Sequence, residues 1–520
     1  MSESTSNELT APNDPDGPNE LTQHQESELE SIELPAMTPG SLLRKFGPGM
    51  MLMMTGIGTS HLVTAPVAGG RFGFALLWCL PIAYIFKYYG FEMAIRFTHA
   101  TGRSILDAYA TSWKKLPVWY VLVTTVIQSA VGQAGRLIAA AAVVFYFFRM
   151  YLGFDIPGFD DDKELAVYGL ILGVLSVAII MRGRYAVVEL TTKIAAGFLI
   201  VCTFFVYAVQ PAPIGEFVHF FKLNTPEGSW LIIASFLGLL PTGIDVSLQA
   251  SEWGKAKKVG MGRLRESLER EGLARKFDAF SSSKQDLTID PSRLPEHAQE
   301  YCRRWFRIGL LDFRLGHLIS FILASIFLIL AAVWLYPSEV SGNAVMGDIA
   351  RIFTDSVGPG LMVIFLMGAF AATFSTAFNY FDGWPRVVGA CCRNLFRGTA
   401  SLPRTSREEL SVEQRRTWYS EYNIYRGSMI FSLVASVAII AGVPRPVYLV
   451  LVASALAFFV APVIYFLNLY YCLTVIRKDD KIFYPSGFAI WFGWLSFVVF
   501  TGLSLILILQ RLFGISLFSL

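Results

Sequence analysis

The sequence predicts an all-α integral membrane protein of eleven spans, with the first and sixth spans broken at mid-depth. Three observations carry that prediction. First, 54% of the 520 residues are hydrophobic and 16% are charged, whereas an ordinary soluble domain is about a quarter charged; the mean hydropathy is +0.50. Second, apolar runs long enough to cross a bilayer recur along the chain. Third, two of those runs carry glycine, proline and polar residues at their centres. Non-helical backbone at that depth is tolerated only where it is buried in protein or faces a water-filled cavity, so each break marks a candidate site.

Taken in order, residues 1–43 contain no Lys or Arg and many Asp, Glu, Pro and Ser, the composition of a disordered acidic tail rather than a signal or transit peptide. A domain over 44–511 follows, with apolar segments near 47–70, 74–97, 117–148, 165–182, 186–209, 229–253, 315–336, 357–383, 427–443, 447–474 and 487–511. Lys and Arg concentrate in the connections 98–116, 182–185, 254–314 and 384–426, while the opposite loops are acidic or sparse, as at Asp160–Asp161–Asp162, Glu216 and Glu227. The positive-inside rule then places the N-terminus in the cytoplasm and, with an odd count, the C-terminus on the opposite side of the cell membrane. Within the large cytoplasmic loop 254–314, a short amphipathic helix around 261–280 is expected, presenting a solvated face in preference to a docked one.

The first break lies in FGPGMMLMMTGIGTSHLVTAPVAGG, residues 46–70, at Gly56–Ile57–Gly58–Thr59–Ser60–His61 with Pro66 after it. Glycines weaken the helix there and hydroxyls compete for its backbone bonds. The second lies in the sixth segment at Leu240–Pro241–Thr242–Gly243–Ile244–Asp245, where proline removes a donor and crowds the preceding turn. Pro and Gly often do no more than kink a span. Two matched interruptions, five spans apart and entered from opposite sides, point instead to two inverted halves with a midplane transport site.

Several stretches resemble the Nramp (natural resistance-associated macrophage protein) family of divalent-metal transporters. These are GPGMM opening segment one, the run from Ala68–Gly69–Gly70–Arg71–Phe72–Gly73 onward, ATGRSILDAY at 100–109 and Phe374–Ser375–Thr376 in segment eight. The resemblance implies the LeuT-type inverted-repeat (5+5) fold with an eleventh helix: repeat one about 46–209, repeat two about 229–474, and the extra helix about 487–511. It also implies cation transport, commonly coupled to protons. The departures matter as much. Aligned through AGGRFG, the family's D-P-G-N metal motif falls on Gly58–Thr59–Ser60–His61, and its M-P-H motif on Leu240–Pro241–Thr242. The metal-binding carboxylate and the soft thioether are both missing, and a thioether or imidazole is what selects a transition metal over calcium or magnesium.

Substrate binding is therefore assigned to Gly58, Thr59, Ser60, His61, Leu240, Thr242, Gly243 and Asp245, with Asp245 and His61 as the candidate metal ligands. For Asp245 the alternative is a helix N-cap, and for His61 a hydrogen-bonded packing residue. Polar groups within a membrane are expensive, so Arg136, Glu189, His317 and Asp382 are candidates for coupling or gating. In segment three, Thr125, Ser129, Gly132 and Arg136 share a helical face with Gln128 and Gln133 alongside. Arg136 takes no proton itself, and the favoured reading is a structural pair with Glu189. Asp312, Arg314 and His317 open segment seven and suggest a cytoplasmic-end ion pair, and Asp382 suits capping or gating.

The six cysteines, Cys79, Cys202, Cys302, Cys391, Cys392 and Cys472, form no metal or redox spacing and read as free thiols, with a weak acylation signal at Cys391–Cys392. No nucleophile–base pair, phosphate loop or closed zinc motif occurs, so neither an enzyme nor a cofactor is expected. The net charge of +3 gives no reason to expect nucleic acid; the partners are the transported ion or small solute and the lipid bilayer, and nothing in the sequence speaks to oligomeric state. The leading function is secondary active transport of a cation, divalent in the first instance, by alternating access. The alternatives are an organic-solute transporter (an amino acid or amine) on the same fold, and a membrane sensor or scaffold without flux.

Overall fold

The computed structural model describes residues 29, 31–182, 185–209, 211, 213–270, 274–337, 359–397 and 419–513, without the side chains of 59, 60, 150, 209, 270, 359–362, 507, 508 and 510–513. Most of the acidic tail and the middle of the 384–426 connection lie outside the described residues. Helices make up the rest: α1 Pro39–Lys45, α2 Pro48–Gly56, α3 Ala65–Phe72, α4 Cys79–Thr101, α5 Ile105–Tyr109, α6 Leu116–Ile127, α7 Gln133–Tyr146, α8 Asp161–Arg182 and α9 Tyr185–Val209. They continue as α10 Trp230–Leu239, α11 Val246–Lys257, α12 Met261–Arg270, α13 Glu296–Trp334, α14 Pro359–Leu395, α15 Glu421–Gly442, α16 Pro446–Val475 and α17 Gly487–Phe513. Proline at the first turn starts α2, α6 and α16, where a missing N–H costs nothing.

Among the described residues eight helices are long and apolar enough to cross a membrane. A ninth span is counted if Pro48–Leu76 and Cys79–Thr101, bent by 103°, form one. The sixth predicted segment is divided between the ten-residue α10 and the twelve-residue α11. The first is not cut in the same way: between α2 and α3, Ile57–Thr64 continues as a π-helix. There the backbone loosens without leaving the helical path.

At the centre, α13 packs along α2 and α3, α10 along α16, and α14 against α9, α7 and α15. Helices α8, α9 and α15 turn apolar side chains such as Ile171, Ile194 and Val434 outward, as lipid-facing helices do.

The 254–314 region departs from its expected solvated face. Helix α12 lies against α4 with Met261, Leu264 and Leu268 buried. Arg265, 1% exposed, donates to the carbonyls of Thr101, Arg275, Asp286 and Leu287 and to Glu269. A guanidinium presents five N–H donors in a fixed fork, enough to tie four strands of chain together. Beyond it, α13 starts nineteen residues before the predicted segment 315–336, because Glu300 pairs with Arg303 and Arg304 one turn on and keeps a polar stretch helical. Arg265→Ala should leave several buried carbonyls unpaired and cost roughly 3 kcal/mol. Thermal unfolding of the detergent-solubilised protein, with limited proteolysis across 271–295, measures it; an unchanged cleavage pattern would argue that α12 is held by its apolar face alone.

Candidate functional site

The site is built where α10 stops. Leu240 turns extended (φ −90°, ψ 132°), Pro241 supplies no donor, and helix resumes at Val246. A helix end leaves its last carbonyls without intrahelical partners, and lipid offers none. Here the partner is Lys87 of α4, whose Nζ donates to the carbonyls of Gly238 (2.7 Å), Leu240 (2.8 Å) and Thr242 (3.1 Å). Across the gap, Gly56 meets the Pro241 carbonyl so closely that a Cβ would overlap it. Glycine at 56 thus brings the first and sixth segments into contact.

Asp245 occupies the N-cap position of α11, yet its side chain makes no capping bond. Arg136 and Lys87 are the charges that act on it. Its Oδ1 is buried with no hydrogen-bond partner among the described residues. Arg136 donates to the Gly132 carbonyl and stacks on Tyr380, 3.8 Å from the ring centroid, with Trp384 beyond at 4.9 Å. Around it, both side-chain polar atoms of Gln128 and Gln249 and the Oε1 of Gln133 are also buried without partners. Thr242 completes the ring, its hydroxyl 3.2 Å from the Tyr380 hydroxyl and 3.4 Å from Thr55. A π-helical turn at Gln128–Gly132 separates α6 from α7 and offsets the polar face expected on segment three.

The first segment is clamped from two sides. Thr376 of α14 accepts from the Gly58 amide and donates to the Met54 carbonyl, both at 2.9 Å. Gly58 and Met54 would bond each other in an α-helix, so the Thr376 hydroxyl is inserted into the ladder, and this insertion accounts for the π-helical stretch. On the other side, His61 Nε2 lies 2.9 Å from the Tyr84 hydroxyl and 3.0 Å from the Ser320 hydroxyl, which themselves bond at 2.7 Å. His61 and Asp245 share no described contact. No group of three or more His, Cys, Asp or Glu is placed to hold a metal ion among the described residues. The side chains of Thr59 and Ser60 lie outside the description.

The remaining candidates sit elsewhere. Glu189 bonds Lys193 and Lys257, not Arg136, so the expected Arg136–Glu189 pair does not form. Asp312 makes no ion pair either: it accepts from the amides of Gly47, Gly49 and Met50 and caps α2 from α13. Arg314 donates to the Tyr88 hydroxyl, and His317 contacts the Tyr84 carbonyl beside an outer cleft of about 550 Å³. Asp382 accepts from Trp253, Arg386 and Tyr425, tying α11, α14 and α15 at the basic end. Next to it, Arg393 joins Asp107 of α5 (2.8 Å) to Glu421 of α15. Burial alone would raise the Asp107 carboxyl, but Arg393, Lys255 and Arg103 outweigh it and hold the group well below the usual carboxylate range.

Sequence reading missed Lys87, Tyr84, Ser320, Tyr380 and Trp384. Lys87 carried a signal, a basic residue near the middle of an apolar segment. The others were indistinguishable from packing residues.

The chain matches the family model described as "Natural resistance-associated macrophage protein-like" over residues 49–510. It is 21% identical over 505 residues to an uncharacterized protein of Pasteurella multocida (strain Pm70), covering 95% of this chain and 98% of that one. A manganese transporter of Eremococcus coleocola, solved with an aromatic bis-isothiourea substituted compound, superposes with a TM-score of 0.60 at 14% identity, covering 94% of this chain and 92% of that one. Mhp1, a nucleobase-cation-symport-1 family transporter with bromovinylhydantoin bound, gives 0.51 at 12% identity, covering 91% and 94%. At such identities the structural likeness establishes a shared fold.

The Asp107–Arg393–Glu421 cluster generates a prediction about pH. Asp107, with its folded pKa depressed, contributes stability that is present above the ordinary carboxylate value and lost only as pH falls through its lower folded value. Wild-type stability at this cluster should therefore be flat between pH 5 and 8. Arg393→Ala leaves two buried carboxylates without their main partner and should cost about 3–5 kcal/mol. The loss should be smaller at pH 5 than at pH 8, since protonation then relieves the unpaired charge; unfolding midpoints across that range test the sign.

Proposed function

Because the chain belongs to the Nramp family of multi-pass membrane proteins, we propose that it is a secondary active transporter of a metal cation, working by alternating access. In this reading the helices form two inverted repeats of five with α17 added, segment six is the interrupted helix with the π-helical segment one as its counterpart, and the N-terminus is cytoplasmic. The observation that carries the assignment is Asp245: a carboxylate at the α10–α11 gap with one oxygen buried and unpartnered among the described residues. An unsatisfied buried carboxylate oxygen is costly, and a cation removes that cost. The Thr242 hydroxyl, beside Tyr380 and Thr55, is the neutral oxygen the gap offers. An oxygen-donor set with a single carboxylate suits manganese, magnesium or calcium over softer ions. The Eremococcus coleocola neighbour is a manganese transporter, and manganese is a cation of this kind.

Arg136 competes with the cargo for Asp245. Its anchorage on the Gly132 carbonyl and Tyr380 does not depend on the carboxylate, so it can neutralise Asp245 in the unloaded state and yield to an arriving ion. The basic-end ties through Asp382 and Arg393 serve as the cytoplasmic gate. For a coupled proton, the bonded set His61–Tyr84–Ser320 provides a relay beside the first segment. A second reading, an organic solute, is favoured by one feature: Arg136, Tyr380 and Trp384 together form an aromatic and cationic wall that would bind a carboxylate or a planar group.

Proteoliposome flux across Mn, Mg, Ca and Fe ions with an internal pH probe separates these readings. Uptake of at least one divalent ion is expected, and Asp245→Asn should weaken its apparent affinity at least ~10-fold, as losing an ion's only carboxylate does. Arg136→Gln should tighten it. Unchanged uptake in the Asn variant would remove Asp245 from the site, and absence of flux for every cation would favour the organic solute.

A further inference from the structure

Lys87 is completely buried in the 23-residue α4, which together with Pro48–Leu76 passes as a bent membrane-spanning pair, and it forms no direct salt bridge among the described residues. A lysine at such depth persists only where something compensates its charge. Its compensation is backbone. An ammonium has three N–H donors, and all three go to carbonyl oxygens, those of Gly238, Leu240 and Thr242 at 2.7–3.1 Å. The Gly238 and Leu240 oxygens lie at the open C-terminal end of α10, where the aligned peptide dipoles add partial negative charge, and the Thr242 oxygen lies in the gap just past it. Asp245, at the start of α11, is the carboxyl group that acts on the ammonium, and the Phe500 ring faces it from 5.7 Å. Three converging carbonyls at a negative helix end make the donor set that replaces the hydration shell of a small monovalent cation.

We propose that Lys87 is a tethered cation filling an ion site: its ammonium takes the place of a free monovalent ion and holds the α10–α11 gap in its binding geometry. The protein consequently needs no sodium-like ion at this position, and the cargo cannot use these three carbonyls as ligands. The proposal concerns the frame of the site and stands whether the cargo is a metal ion or an organic solute.

Removing the ammonium should expose the latent site. Full-length Lys87→Ala, purified in detergent, is expected to melt roughly 3–8 °C below wild type in choline chloride, the shift of a lost buried tie. Sodium, lithium or methylammonium chloride should restore it saturably, and Lys87→Ala should bind radiolabelled sodium where wild type binds none. Wild type should melt identically in sodium and choline salts. Lys87→Gln, which keeps a donor but no charge and still fills the space, should be destabilised and not rescued. A Lys87→Ala deficit that no monovalent cation repairs overturns the proposal, as does an Ala variant that loses nothing in choline chloride. Where the Ala variant does not accumulate, the Gln variant decides alone: stability equal to wild type shows that charge is not what the carbonyls require. A failure of metal flux in wild type would overturn the cation reading of the cargo and leave all of these outcomes unaffected.

Discussion

Backbone carbonyls cannot be left unpaired in a membrane interior, and the α10–α11 gap leaves several. The arrangement of the site follows from how that need is met. Lys87 reaches three of the carbonyls from α4, which fixes α4 against the end of α10. Gly56 admits the Pro241 carbonyl, which fixes segment one against the same point. Asn468 of α16 donates to the Gly90 carbonyl of α4 and to Ser247 of α11, so the far side of the gap is tied to the helix that supplies the lysine. One interruption in the backbone thus positions α2, α4, α10, α11 and α16 together.

The first segment solves a milder version of the same problem. Its helix needs no lysine because a hydroxyl is enough: Thr376 accepts from Gly58 and donates to Met54, replacing the one bond that its own insertion opens. Asp312 satisfies three amides at the start of α2, and a carboxylate suits that positive helix end. The two segments that sequence reading treated as equivalent breaks therefore differ in kind. Proline at 241 abolishes a donor and forces the chain out of the helix, while glycine at 56 and 58 permits close approach and a helix of wider turn.

Much of this was legible in the sequence and some was not, for identifiable reasons. Membrane class and family follow from apolar length and from a run such as Ala68–Gly73, which are local properties. The gap at 240–245 was legible because proline acts through its own backbone. Partnerships were not. Glu189 and Arg136 were paired on charge alone, but Lys193 one turn along and Lys257 at the end of α11 stand closer to Glu189 in space. Helix α12 was read as solvated because its charged residues dominate, although Arg265 is charged and buried at once. Whether a basic residue faces water or four carbonyls is decided by chain far away in sequence, and a single sequence carries no record of that.

The charges left at the centre constrain the cargo. Lys87 is committed to carbonyl oxygens, and Arg136 is held by Gly132 and Tyr380 without requiring Asp245. Two cations are thus seated by neutral groups, and the carboxylate they flank keeps one oxygen unpartnered among the described residues. Were either cation bound directly to Asp245, the carboxylate would be satisfied and the site inert to a further positive charge. Because neither is, the free oxygen retains its affinity, while the nearby positive charges keep it from being an uncompensated buried ion, a state too costly to persist. In the proposed transport reading, a group left one partner short in this way binds an arriving cation and can release it, since the departing ion leaves behind a carboxylate whose charge is already balanced.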